Sequence, residues 1–206
     1  EGWGEVDDAE SIRAIRAALD LGITLFDTAN AYGAGHSERI LGRALAGIRS
    51  RAVIATKFSA VFDETTRQLT GSDATPAGIR AACEASLRRL NTDTIDLYQF
   101  HDGGFPADQA GPVRETLEML VKEGKIRAYG WSTDLPDRVE VFARGRNCPA
   151  VQLQLNVLEP NPVVIAQCER YNLAALNRGP LAMGLLTDKY TAETRIAIHD
   201  VRGPKS

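Results

Sequence analysis

Strict alternation of helical and strand-like segments is the feature that most constrains this chain. Six short apolar or β-branched runs read as strands: Ile23–Phe26, Ala52–Phe58, Thr94–His101, Ile126–Trp131, Val151–Val157 and Leu173–Leu176. Each follows a segment whose apolar residues recur at helical spacing. Strands separated by helices can pair only through crossovers, so the pattern predicts a parallel sheet with right-handed connections. At 206 residues the chain supports one good core, and residues 1–206 read as one domain.

The helix signals are local. Ile12, Ile15, Ala18 and Leu19 share one face of a helix that ends at Leu21, with Gly22 as a C-cap. Ser37 reads as the N-cap of the next helix, with Glu38 in its first turn and Ile40, Leu41, Ala44 and Leu45 as its stripe. Thr75 and Pro76 open a third helix, with Ile79, Cys83, Leu87 and Leu90 inward. Further helices are predicted over Pro112–Lys125, Pro136–Arg146 (Val139 and Phe142 inward) and Pro162–Asn172. Val61–Ser72 reads as a polar loop, and beyond Tyr190 the chain turns polar with no assigned element.

A doubly wound sheet and a (β/α)₈ barrel both fit the alternation. The placement of polar residues favours the barrel. Asp27, Lys57, His101, Ser132, Gln152 or Gln154, and Arg178 all fall at or near strand C-terminal ends. In an open sheet such residues are spread along an edge, whereas a closed ring brings them to one point.

Composition narrows the function. A net charge of −3 offers no basic surface for nucleic acid, and no apolar run approaches the roughly 20 residues of a membrane span. The start, EGWGEVDD, is acidic and Gly-rich and lacks a signal-peptide pattern. Cys83, Cys148 and Cys168 are odd in number and widely spaced, which speaks against a disulfide framework and makes a reducing cytoplasm the default compartment. The three histidines, His36, His101 and His199, fall in no H-x-H or H-E-x-x-H spacing, so a catalytic metal is not expected. There is no G-x-S-x-G elbow, no G-x-G-x-x-G fingerprint and no P-loop.

Asp27, Tyr32, Lys57 and His101 make a chemical set. A free tyrosine, with a pKa of about 10, is a poor acid at neutral pH unless a cation favours its phenolate. A nearby lysine supplies that cation, and an aspartate keeps the lysine charged and oriented. A histidine opposite can fix the substrate oxygen or assist the proton transfer. The set suits protonation of a carbonyl oxygen as hydride reaches the carbon. Taken singly, Asp27 reads as a turn residue, Lys57 as a strand end, Tyr32 as a packed loop aromatic and His101 as a core histidine. Their recurrence on strand-end loops of one chain outweighs those readings.

The run Asp27-Thr28-Ala29-Asn30-Ala31-Tyr32-Gly33 followed by Ser37-Glu38-Arg39-Ile40-Leu41-Gly42 resembles the signature of the aldo-keto reductases. Ala55-Thr56-Lys57 resembles that family's lysine strand and Tyr98-Gln99-Phe100-His101 its histidine strand. Gly130-Trp131-Ser132, Gln152 with Asn156, and Gly179-Pro180-Leu181 with Gly184-Leu185-Leu186-Thr187 resemble its nicotinamide and pyrophosphate segments. The resemblance runs from about Asp7 to Tyr190. It implies a TIM (β/α)₈ barrel that uses NADPH or NADH to reduce small-molecule aldehydes and ketones. Tyr32 is then the acid, Lys57 and Asp27 its tuning pair, and His101 the substrate-orienting residue. Ser132 and Gln152 bind the nicotinamide carboxamide, and Gly179, Leu181 and Gly184 fall in the pyrophosphate segment. Arg178 stands where many members carry an aromatic ring on the nicotinamide, and a guanidinium can also stack there. Thr133 replaces a common Asn. A cofactor-binding regulatory or channel-subunit-like relative with little turnover is the alternative reading, since fold alone does not decide activity.

The resemblance also implies missing parts. The family's first strand, its eighth strand and a basic segment gripping the adenosine phosphate have no counterpart here, so an incomplete barrel of six strands is expected. The gap is then flanked by the strands at Ile23–Phe26 and Leu173–Leu176; either the chain is a piece of a longer protein, the favoured reading, or a partner closes the ring, and a third reading is that the piece taken alone does nothing. The choice between NADPH and NADH, the substrate and the oligomeric state stay open.

Overall fold

The computed structural model describes residues 6–191 and 193–196; the acidic start at residues 1–5 and His199 lie outside them. Asp7 caps α1 (Asp8–Asp20) by accepting from the Glu10 N–H at 2.8 Å. The helix ends as expected, with Gly22 in the left-handed region at φ +91°. Then follow β1 (Leu25–Asp27), α2 (His36–Ala44), β2 (Val53–Phe58), β3 (Ala60–Phe62), β4 (Leu69–Ser72), α3 (Pro76–Leu90) and β5 (Ile95–Phe100). The chain continues through α4 (Gly111–Lys122), β6 (Ile126–Ser132), α5 (Pro136–Ala143), β7 (Ala150–Gln154), α6 (Pro162–Tyr171) and β8 (Ala174–Arg178).

Six strands pair in parallel in the order β1-β2-β5-β6-β7-β8 and curl into part of a barrel. The two edge strands, β1 and β8, do not pair with each other. That is the predicted gap. Its signature in burial is plain: four of the five β8 residues are exposed, and so are Leu21, Ile23 and Leu25 at the other rim.

Alternation along each strand sorts the side chains into two environments. Ile54, Phe58, Tyr98, Phe100, Tyr129 and Trp131 face the helices and build the main core with Phe142 and Leu117. The opposite parity points into the half-barrel, where Ala55, Leu97 and Ala150 form a small apolar layer. Further along the same strands, that inward parity carries Asp27, Lys57, Gln99, Ser132, Gln152 and Arg178. The polar layer therefore sits above the apolar one, toward the strand C-terminal ends.

Two local expectations are corrected. Val61–Ser72 is not simply a loop: it holds the antiparallel hairpin β3–β4, with an irregularity between Val61 and Phe62. Its strands are short and largely exposed, so they lack the apolar alternation that marks a strand in sequence. Its turn is made by Asp63, whose Oδ1 accepts from the Thr65 and Thr66 N–H groups at 2.8 and 2.7 Å. Ser37 is not the cap of α2. Gly35 holds that position at φ +81°, without a side-chain cap, and the Ser37 hydroxyl instead accepts from Thr28 Oγ1 at 2.8 Å. Strand ends also move: β7 stops at Gln154 because Asn156 Oδ1 turns the chain through the Leu158 and Glu159 N–H groups, and β8 runs on to Arg178.

Candidate active site

A cavity of about 490 Å³ opens at the C-terminal mouth of the half-barrel. Asp27, Tyr32, His101, Ser132, Gln152 and Arg178 all line it, with Gly103, Thr133, Asp134 and Leu135. Residues from five strands and their following loops thus meet at one point, as the barrel reading requires. Lys57 lies beneath, 1% exposed. Gly179, Leu181 and Gly184 continue from the edge strand β8 and do not line the cavity.

The loop that carries Tyr32 is held from below. The Thr28 N–H donates to Ala55 O at 2.9 Å and the Asn30 N–H to Lys57 O at 3.3 Å, so the chain follows β2 past the end of β1. Asn30 Nδ2 donates to Ala60 O at 2.9 Å, tying the loop to the hairpin. The Gly35 N–H closes back on Asn30 O at 2.8 Å. Gly35 has no room for a side chain, since a Cβ there would lie 2.5 Å from Arg89 Cδ.

Lys57 Nζ donates to Asp27 Oδ2 at 2.5 Å and to Thr28 O at 2.9 Å. It sits 5.3 Å from the centroid of the Tyr32 ring, so the ammonium faces the ring's π system. The His101 ring meets the Tyr32 ring edge-on, with centroids 6.1 Å apart. The strand holds His101 in place through its N–H, which donates to Phe58 O at 2.8 Å, and Trp131 Nε1 steadies the following loop by donating to Asp102 O at 2.8 Å.

Burial dominates the electrostatics. It pushes the Lys57 ammonium below its ordinary pKa, opposed by the charge of Asp27 and its hydrogen bond. It pushes His101 down to about 4, helped by the Lys57 charge, so the imidazole is neutral at physiological pH. Tyr32 moves up through burial and then the Asp27 carboxylate, with Arg178 pulling the other way. The expectation that a cation would favour the phenolate is therefore not met in this state: the phenol keeps its proton at neutral pH.

Ser132 Oγ donates to Gln152 Oε1 at 3.3 Å, which joins β6 to β7 at the mouth. Thr133 Oγ1 is turned away, donating to Gly103 O at 3.0 Å and accepting from the Leu135 N–H at 3.2 Å. Arg178 pairs with Asp134 and donates to Gln154 Oε1 at 3.2 Å. Beside it the Gly179 backbone is at φ +65°, and Asn156 Nδ2 donates to its carbonyl at 3.1 Å.

The sequence profile described as "Aldo/keto reductase family" matches residues 1–202. The chain belongs to that family. Among curated relatives, the aldo-keto reductase YhdN of Bacillus subtilis (strain 168) is 40% identical over 207 residues, covering 97% of this chain and 60% of its own. Among solved structures, the glycerol dehydrogenase AKR11B4 from Gluconobacter oxydans superposes with a TM-score of 0.84 at 38% identity, covering 99% of this chain and 64% of that one. An aldo/keto reductase from Klebsiella pneumoniae, solved with NADP and acetate, gives 0.73 at 30% identity, covering 94% and 66%. The chain thus spans about 60% of the length of the curated relative it matches. Like its solved relatives it is built on the aldo-keto reductase barrel, here an incomplete one.

Three residues in the cavity wall or among its supports escaped the sequence reading. Gln99 donates from Nε2 to Asp27 Oδ1 at 3.1 Å; its inward parity with Lys57 is legible once the strands are registered. Asp134 faces Arg178 across the mouth, a pairing that no local pattern signals. Glu38, read as a helix-dipole partner, is fully buried and accepts from Thr56 Oγ1 and Arg89 Nε at 2.6 and 2.7 Å.

Proposed function

We propose that the protein carrying this chain is an NADPH- or NADH-dependent carbonyl reductase, with Tyr32 as the general acid. The observation that carries the reading is the stack of Asp27, Lys57 and Tyr32 beside a neutral His101 in one cavity. The NADP held by the Klebsiella relative supports a nicotinamide cofactor. Such a cofactor, when bound, supplies the hydride.

The chain's own residues account for the rest. The Tyr32 phenol, protonated at neutral pH, gives its proton to the carbonyl oxygen of an aldehyde or ketone. The Lys57 ammonium offsets the negative charge left on the ring, acting through a buried site where charges are weakly screened. Asp27 keeps Lys57 ionised against the cost of burial. Neutral His101 offers a ring N–H to the same oxygen and fixes its direction. Tyr32 is 46% exposed, so solvent can return the proton.

The mouth suits the flat nicotinamide. Ser132 and Gln152 present hydroxyl and amide groups for its carboxamide, and the Arg178 guanidinium supplies a planar face. The positive-φ backbone at Gly179 would crowd Gln154 if it bore a Cβ, so the chain leaves β8 as bare main chain, open to a pyrophosphate at Gly179, Leu181 and Gly184.

Tyr32→Phe in the full-length chain tests the reading, by NADPH-dependent reduction of a simple aromatic aldehyde. Loss of the acid lowers turnover about 10²- to 10⁴-fold with cofactor affinity retained. Unchanged turnover would sink the assignment of Tyr32.

A further inference from the structure

Inside the half-barrel one more polar side chain touches the central carboxylate. Gln99 lies on β5 in register with Lys57 of β2 and Gly130 of β6, and it is 0% exposed. Its Nε2 donates to Asp27 Oδ1 at 3.1 Å, while Lys57 Nζ holds Asp27 Oδ2 at 2.5 Å. Both oxygens of one carboxylate are committed, one to a neutral amide and one to the ammonium.

We infer that Gln99 is a positioning residue for proton transfer at Tyr32: it pins the Asp27 carboxylate in the pose that holds the Lys57 ammonium under the Tyr32 ring. The link to turnover rests on the carbonyl-reductase reading above. Three observations support the pin. The Asp27 side chain is 36% exposed against 1% for Lys57, so an unpinned carboxylate has solvent-facing rotamers open to it. Burial drives Lys57 toward its neutral form and Asp27 is the group that opposes it, which makes the ammonium depend on where that carboxylate stands. Finally, the Gln99 Oε1 is buried with no hydrogen-bond partner among the described residues. An apolar side chain of the same length would avoid that penalty, so packing alone does not ask for an amide here.

This last point separates a positioning role from a structural one. Gln99→Met keeps the length and volume and removes the donor. In the full-length chain, thermal stability changes little, because removal of the unpaired acceptor offsets the lost hydrogen bond to Asp27. Turnover falls roughly tenfold or more through the misplaced pair, while KM for the cofactor stays within about twofold. The alkaline limb of the pH profile moves to lower pH by about one unit, and so does the Lys57 titration followed by NMR, as the unpinned carboxylate moves away from the ammonium. An unchanged turnover and pH profile, or a lowered melting temperature with full activity per folded molecule, overturns the inference.

Should the wild-type protein reduce no carbonyl, the reading of function fails, and the Lys57 titration alone decides: a downward shift in Gln99→Met supports the pin, an unmoved midpoint refutes it. Gln99→Glu covers a Met variant that does not fold. Its neutral carboxyl can donate as the amide does, and its ionised form repels Asp27. Lys57 then keeps its place at acid pH, and the arrangement loosens as the new group ionises. A profile that tracks wild type across that ionisation overturns the pin.

Discussion

Lys57 and Asp27 form an ion pair at 2.5 Å between adjacent strands, with Lys57 buried and Asp27 reaching the cavity. Such a pair is a weak source of stability, because desolvating the ammonium offsets most of the attraction. Its placement under Tyr32 argues for chemistry instead. Lys57→Met is therefore expected to lower turnover about 10²-fold or more, with NADPH affinity little changed. Thermal stability should hold, since Asp27 can rehydrate once its partner goes. Stopped-flow hydride transfer and a melting curve on the same preparation check both halves. A large drop in melting temperature with transfer intact would make Lys57 structural.

His101 sets a pH dependence of stability. Its folded pKa of about 4 lies below the ordinary 6.5, so between those values the unfolded chain binds more protons. The contribution is fully present above 6.5 and is lost as pH falls toward 4, amounting to at most about 3 kcal/mol. Solvent at the cavity mouth trims that figure. Urea midpoints measured from pH 7 to 4.5 should fall further in wild type than in His101→Gln, which lacks the titration. Parallel declines would show that the imidazole is not held neutral.

The architecture was legible because it is written in periodicity. Six strands at the right places follow from apolar runs between helical stripes, and the strand ends then name Asp27, Lys57, His101, Ser132, Gln152 and Arg178. What periodicity cannot carry is pairing between distant side chains. Glu38 sits on a helix in a good first-turn position, and its burial against Arg89, 51 residues away, depends on how α2 and α3 pack. The Asp134–Arg178 contact depends likewise on a loop meeting an edge strand. The hairpin β3–β4 was hidden for the opposite reason: its strands are exposed, so no burial pattern marks them. Tyr32 lines the cavity beside Asp27, and its raised pKa follows first from burial, which only three dimensions reveal, and then from that carboxylate.

Arg178 offers a test of the proposed nicotinamide site at the mouth. Asp134 and Gln154 hold its guanidinium at the cavity wall. A planar cation there stacks, whereas an ammonium does not. Arg178→Lys should weaken NADPH binding by roughly 1 kcal/mol, about fivefold. Arg178→Trp, which restores a flat face, should recover most of it. Fluorescence titration of NADPH reads both. Lysine binding as well as arginine would mean that charge, not planarity, is what the position supplies.

Glu38 and Arg89 form the most deeply buried ion pair among the described residues, with side chains 0% and 8% exposed. Glu38 also accepts from Thr56, the residue before Lys57, so the pair braces the strand that carries the ammonium. Removing one partner leaves the other charged and buried, at a cost of about 3–5 kcal/mol. Replacing both with apolar residues removes that penalty. Glu38→Leu and Arg89→Met are thus each expected to be strongly destabilising, and the double variant should cost much less than their sum, with a coupling of about 2 kcal/mol or more. Arg89 keeps a second carboxylate, Glu64 at 3.3 Å, so Glu38→Leu should be the milder of the two for the charge left behind. Chemical denaturation of all four proteins in a double-mutant cycle measures the coupling. Strict additivity would mean that the two charges are solvated in solution and that the brace on β2 comes from packing alone.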